Sequence, residues 1–150
     1  MTDLTRGIIE IEGMTLSRNT KAVDFENISN PNIQVTVSKR GHTYVKFKNP
    51  IVAGNISVFV NVACYTDSPI PEFELRPAVP DELRGDPVEI SKYKVSASKQ
   101  WLKKMINGNP TTDCDTGTSY HFSDIHITSF AQEDIHYGLR GGEIKIRFGE

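Results

Sequence analysis

Apolar and polar residues alternate along most of the chain, and a period of two marks strands with one buried face. The series opens with Gly7-Ile8-Ile9-Glu10-Ile11-Glu12-Gly13. Residues 33–37 and 43–48 follow, separated by a turn at Lys39-Arg40-Gly41-His42. The longest candidate is 56–65, with Ile56, Val58, Val60 and Val62 on one face. Ser57, Asn61 and Ala63 take most of its other face, which is therefore expected to be only partly covered. Pro69-Ile70-Pro71 leads into 72–76, and proline at a strand's start suits an edge or a first position. Residues 120–122, 125–130 and 143–148 alternate again, with Gly138-Leu139-Arg140-Gly141-Gly142 as the turn into the last.

Two stretches break this rhythm. Thr20 can cap a short helix over 21–25, stopped by Asn30-Pro31-Asn32. Residues 77–95, punctuated by Pro77, Pro80 and Pro87, read as a connector. From 96 to 106, Trp101, Leu102, Met105 and Ile106 form one apolar stripe, with Ser96 or Ser98 as cap and Gly108 and Pro110 just beyond the end; this is the stronger helix. Short turns between strands and few helices predict an α+β fold: a mainly antiparallel sheet of about seven or eight strands with two helices packed on one face. The recurring order of a helix followed by strands divides the single domain, 1–150, into two halves, about 1–77 and 96–150.

Composition narrows the function. A chain of 150 residues can bury about 70% of its unfolded surface, so it needs no disulfide, metal or cofactor to stay folded. The net charge of −2 divides evenly: residues 1–75 hold seven Lys/Arg and eight Asp/Glu, residues 76–150 ten and eleven. Neither half is basic enough to grip phosphates, so no nucleic-acid partner is expected. No apolar stretch nears the ~18 residues that span a bilayer, so no membrane is expected either. Met1-Thr2-Asp3-Leu4-Thr5-Arg6 lacks signal-peptide character, and the two cysteines, Cys64 and Cys114, are then reduced thiols. A cytoplasmic location is expected.

Catalytic chemistry finds little support. His121, His126 and His136 lie near Asp124 and Asp134, residue types that bind zinc or iron. Yet 121 and 126 differ by an odd number and face opposite sides of a strand unless Ser123-Asp124 makes a turn. No metal is assigned; a small metal-dependent enzyme using His121, Asp124 and His126 is the alternative reading, and a structural or accessory protein another. Cys64 reads as a small buried hydrophobe, and Cys114 sits between Asp113 and Asp115, which disfavour its thiolate. No Gly-x-Ser-x-Gly elbow or phosphate-cradling loop appears, and Glu10/Glu12 and Glu72/Glu74 read as solvated strand faces. No catalytic residue is assigned, and the chain is not expected to be an enzyme.

One asymmetry stands out. The 35 residues between Lys104 and Arg140 contain no Lys or Arg and carry Asp113, Asp115, Asp124, Glu133 and Asp134, just after the basic run Lys92, Lys94, Lys99, Lys103 and Lys104. These five acids, with Tyr120 among them, are the candidate partner-binding residues, because a negative patch steers and orients a basic partner. Trp101, on the apolar stripe of a helix, reads as core.

The order of several motifs resembles a known group. Trp101-Leu102 on a helix, Gly108-Asn109-Pro110, the aromatic strand Tyr120-His121-Phe122 and the ending Leu139-Arg140-Gly141-Gly142-Glu143-Ile144-Lys145-Ile146-Arg147-Phe148 are similar to small immunity proteins of bacterial contact-dependent growth inhibition and related polymorphic-toxin systems. Gly13-Met14-Thr15-Leu16 with Thr20, and Glu74-Leu75-Arg76-Pro77, fit the same pattern. Some members of that group look like the β-lactamase-inhibitor-protein fold. The resemblance implies a protein, monomeric alone, that neutralises the C-terminal domain of a cognate toxin as a stoichiometric complex. Many such toxins are nucleases with basic clefts, which the acidic segment 113–136 would meet as a mimic of nucleic-acid charge.

Overall fold

A computed structural model describes the backbone of residues 1–134 and 138–149 and the side chains of residues 1–133 and 140–149. Twelve strands and one α-helix occupy these residues. β1 (Ile9–Ile11) and β2 (Met14–Leu16) form a small hairpin. Then come β3 (Ile33–Val37), β4 (Thr43–Phe47), β5 (Ile51–Ala53), β6 (Ile56–Cys64) and β7 (Glu72–Pro77). The helix α1 (Pro87–Met105) precedes β8 (Thr112–Cys114), β9 (Gly117–Phe122), β10 (Ile125–Asp134), β11 (Gly138–Gly141) and β12 (Ile144–Phe148).

The ten strands after β2 make one sheet in the order β3-β4-β6-β7-β12-β10-β9-β8, with β5 against β6 and β11 against β10, all antiparallel. Each half of the sheet is a meander that starts at an outer edge and ends at the centre. The two meanders join where β7 meets β12, with Leu75 opposite Ile144 and Phe73 opposite Ile146.

The alternation in the sequence decides which face is buried. Val58, Val60 and Val62 of β6, Phe73 and Leu75 of β7, Ile125 and Ile127 of β10, and Ile144 and Ile146 of β12 turn one way into a single core. The α1 stripe of Ala97, Trp101 and Leu102 covers them, joined by Leu4, Ile9, Ile11, Leu16 and Phe25 from the N-terminal segment. Trp101 is wholly buried and its Nε1 has no hydrogen-bond partner among the described residues. Burying ~200 Å² of indole is worth about 5 kcal/mol, against roughly 1–3 kcal/mol for the unmet donor, so packing wins.

Several expectations are corrected. Among the described residues there is one α-helix, not two: 21–25 contains only a 3₁₀ turn, Ala22–Phe25, and Thr20 does not cap it. The Thr20 hydroxyl instead accepts from the Ser17 amide at 2.9 Å, so it closes the preceding turn. The sheet has more strands than seven or eight because β5, β8 and β11 are three or four residues long, too short to show alternation. The helix also starts nine residues earlier than expected. Pro87 is its first residue, where a missing amide hydrogen costs nothing, and the Asp86 carboxylate caps it by accepting from the Glu89 amide at 3.2 Å.

Small side chains on α1 explain both the missed turns and the docking. Ser91, Val95 and Ser98 form its inner face ahead of Trp101, so apolar periodicity is weak there. Ser98 Oγ on α1 and Ser129 Oγ on β10 both donate to the carbonyl of Gly142, at 2.8 and 2.9 Å. Gly142 has φ near +95°, and a Cβ added to it would lie 2.7 Å from Lys94 Cβ and 3.1 Å from the Ser91 carbonyl. Beside it Lys94 Nζ pairs with Glu143 at 2.8 Å, both side chains largely shielded from solvent.

Two consequences can be measured. Gly142→Ala combines a left-handed backbone with overpacking against the helix, and urea unfolding should show a loss of roughly 2–4 kcal/mol. Burial pushes the Glu143 carboxyl up, but the Lys94 hydrogen bond, its own backbone amide and the charges of Lys94 and Arg76 together hold the group below its ordinary value of 4.5. Because its folded value is the lower one, Glu143 contributes fully above about pH 4.5 and loses that contribution as pH falls through the folded value. Lys94→Met leaves the shielded carboxylate unpaired, so urea titrations at pH 4 and pH 7 should show a smaller deficit for the variant at pH 4.

Candidate functional site

The second face of the sheet is the surface that the core does not use. Directly opposed residues of antiparallel strands share a face, so the register reads as rows. One row runs across eight strands: Gln34, Lys46, Asn61, Glu74, Lys145, Thr128, Ser119 and Thr112. A second holds Thr36, Tyr44, Ala63 and Glu72, then Arg147, His126 and His121. Phe59 and Arg76 begin a third. Seven strand spacings of about 4.8 Å make this face about 34 Å wide.

Its middle is a groove of about 900 Å³ lined by Tyr44, Lys46, Phe59, Asn61, Tyr65, Glu72, Glu74, Arg76, Lys145 and Arg147. Glu74 pairs with Arg76, and Glu72 with Arg147 at 3.4 Å. Glu72 also accepts from the Tyr65 hydroxyl at 3.2 Å; burial first, and this carboxylate second, push the phenol above its ordinary value. Lys46 and Lys145 have no ion-pair partner among the described residues, so the groove is locally positive in a chain whose net charge is −2. Asn61 Oδ1 is buried there with no hydrogen-bond partner among the described residues. At one end the rings of His42, Tyr44 and Tyr65 stand edge to face, with centroids 5.2 to 6.5 Å apart.

The acids singled out in the sequence lie elsewhere and apart. Asp113 and Asp115 belong to the short β8–β9 hairpin at the far edge, where Asp113 pairs with Lys99 of α1 at 2.8 Å. The Lys99 contact holds the Asp113 carboxyl below its ordinary value. Asp124 is in the turn at the other end of β9, where Arg18 pairs with it and also donates to the Gly149 carbonyl at 2.8 Å. Glu133 is exposed near the end of β10, beside Arg140 and Glu143. The side chain of Asp134 lies outside the described residues. Tyr120 is only 2% exposed and stacks on Phe122 inside the core, so its ring presents no binding surface.

Among the chemistry-bearing residues, Ser123 does supply the turn that brings His121 and His126 to one face; its φ is +55°. The two rings touch, with centroids 4.5 Å apart, while Asp124 is held away by Arg18. His136 lies outside the described residues. No group of three or more His, Cys, Asp or Glu is placed to hold a metal ion among the described residues. The groove itself was invisible as a unit in the sequence: the residues named here come from four separate strands, with Tyr65 just past β6, and only the partly covered second face of β6 hinted at it. Compared with known families, curated sequences and solved structures, the chain matches none.

The cysteines reverse one expectation. Burial raises the Cys64 thiol above its ordinary value. Cys114 is exposed, and its thiol is lowered, first by the Thr116 hydroxyl 3.4 Å away and then by the backbone amide of Thr116. Lys99, whose ammonium donates to the Cys114 carbonyl, adds to the effect, so the flanking aspartates do not decide the matter. With a thiol-specific disulfide reagent near pH 7.5, Cys114 should react at least tenfold faster than Cys64, as single Cys→Ser variants would show.

Proposed function

We propose that this chain is a protein-binding module, and specifically an immunity protein that occupies a cognate toxin domain with the uncovered face of its sheet. The observation that carries the reading is the division of the sheet: one face is closed by α1 and the N-terminal segment, while the other keeps aromatic, arginine and lysine side chains around a groove with an unmet buried acceptor at Asn61. Aromatic residues and Arg are enriched where proteins meet, and a face of this width accommodates the ~800 Å² per partner of a standard interface. The partner class comes from the resemblance of the sequence to immunity proteins.

In the nuclease form of this reading, acids of the 113–136 segment meet a basic cleft. Asp113 and Asp124, however, each already have a basic partner within the chain and stand at opposite ends of β9. The groove, with Lys46, Arg76, Lys145 and Arg147 against Glu72 and Glu74, suits a partner surface that carries an excess of carboxylates. We therefore favour contact through the groove over contact through the acidic segment.

The test is calorimetry with the C-terminal domain of the protein encoded beside this chain. A 1:1 complex is expected, and Phe59→Ala combined with Tyr44→Ala should weaken it by about 30-fold, the equivalent of roughly 2 kcal/mol at a central anchor. Asp113→Lys with Asp115→Lys should change affinity by less than about threefold. If the aspartate variant loses binding and the aromatic variant keeps it, the groove is the wrong surface. Absence of any complex would end the immunity reading.

A further inference from the structure

His121 and His126 face each other across the β9–β10 hairpin. The turn between them has two residues, so Phe122 and Ile125 form its hydrogen-bonded closing pair, and such pairs recur at every second position. The Ala131 amide donates to the Thr116 carbonyl at 2.8 Å, in phase with that pattern. His121 and His126 are thus a non-hydrogen-bonded pair, the kind whose side chains come closest. Both side chains are exposed, and neither ring has a hydrogen-bond partner among the described residues. The backbone is anchored next to them, since the His121 amide donates to Thr111 Oγ1 at 3.2 Å. Arg147, across from His126 on β12, has its guanidinium on Glu72 at 3.4 Å, so this neighbouring positive charge is already paired.

We infer that these two histidines form a surface chelate for a transition-metal ion of tetragonal preference, Cu²⁺ or Ni²⁺. The separation of the rings supplies the argument. A metal–nitrogen bond of about 2.0 Å, extended by the ~1.1 Å from ring nitrogen to ring centre, puts each centroid about 3.1 Å from the ion. Two imidazoles at right angles about the metal then have centroids about 4.4 Å apart, whereas a tetrahedral angle needs about 5.1 Å. The observed 4.5 Å is nearer the right-angled spacing. Neighbouring positions of square-planar or tetragonal N-donor sites are at right angles, and the same two ions lie high in the divalent affinity series. Water or a partner's side chain completes the coordination, so the site binds reversibly. Because it bridges two strands, the metal also ties the hairpin together.

Nickel titration of the Cys114→Ser protein by calorimetry, which keeps the exposed thiol out of the measurement, tests the assignment. One ion per chain with a dissociation constant on the order of micromolar is expected, with zinc at least about tenfold weaker. His121→Ala and His126→Ala should each weaken nickel binding by about tenfold or more, and His42→Ala should leave it unchanged. Nickel should also raise the melting temperature of the parent protein, and not that of the double variant, whose metal-free melting should match the parent's. The electron paramagnetic resonance spectrum of the copper form should show two nitrogen ligands. Failure to bind nickel, undiminished binding in the double histidine variant, or zinc binding more tightly than nickel would overturn the inference.

Discussion

The carbonyl of Gly142 is the point on which the two sides of the molecule are joined. It accepts from Ser98 on the helix and Ser129 on β10, inside the core and away from water. A buried carbonyl needs a donor, and two hydroxyls on different elements fix the helix against the C-terminal meander at one depth. That depth is possible only because Gly142 has no side chain and because Ser91, Ala97 and Ser98 are small. From there α1 reaches β7 and β6 of the N-terminal meander, and Trp101 closes the remaining space. A single helix can therefore seal the core of a ten-stranded sheet when the N-terminal segment covers the rest.

The same arrangement leaves the second face of the sheet without a cover. Alternation along each strand sends every other side chain to that face, and antiparallel register lines them into rows. Ions of both signs pair there, Glu72 with Arg147 along a row and Glu74 with Arg76 along β7, which satisfies the carboxylates and leaves Lys46 and Lys145 without an ion-pair partner among the described residues. The proposed contact with another protein rests on this mixture of aromatic rings, arginines and the Asn61 amide oxygen. The helix side is different in character, since Lys99 and Lys94 there already have acidic partners within the chain.

The acids and histidines show how far sequence proximity misleads. Asp113, Asp115 and Asp124 lie within twelve positions of one another, yet β9 runs between them and places them at opposite ends of a strand. Tyr120, equally close, faces inward because it is in phase with Ile127 across the pair, whereas its neighbour His121 faces outward. His121 and His126 went the other way: an odd spacing that separates side chains on a continuous strand brings them together once a two-residue turn reverses the chain. Ser123-Asp124 was recognisable as the possible turn, so this juxtaposition was within reach of the sequence, but its metric was not.

By itself the sequence determined the class of architecture and much of the core. Period-two alternation requires strands with one dry face, and it fixed which residues of β4, β6, β7, β10 and β12 are buried, because a slip of one residue would invert every side chain. It also fixed the apolar end of α1, where Trp101 and Leu102 repeat at helical spacing. What it left open were features that depend on partners distant in the chain: the three-residue strands, stabilised only by their neighbours; the first turns of α1, whose inner face is small and polar because Gly142 approaches it; and the order of strands, which brings β12 between β7 and β10. The composition of the groove was decided there too, since Lys46, Asn61, Glu74 and Lys145 belong to four strands and meet only through register. Local pattern is set by short-range sterics and solvation, whereas these contacts depend on which strands pair, and pairing is a property of the whole packed sheet.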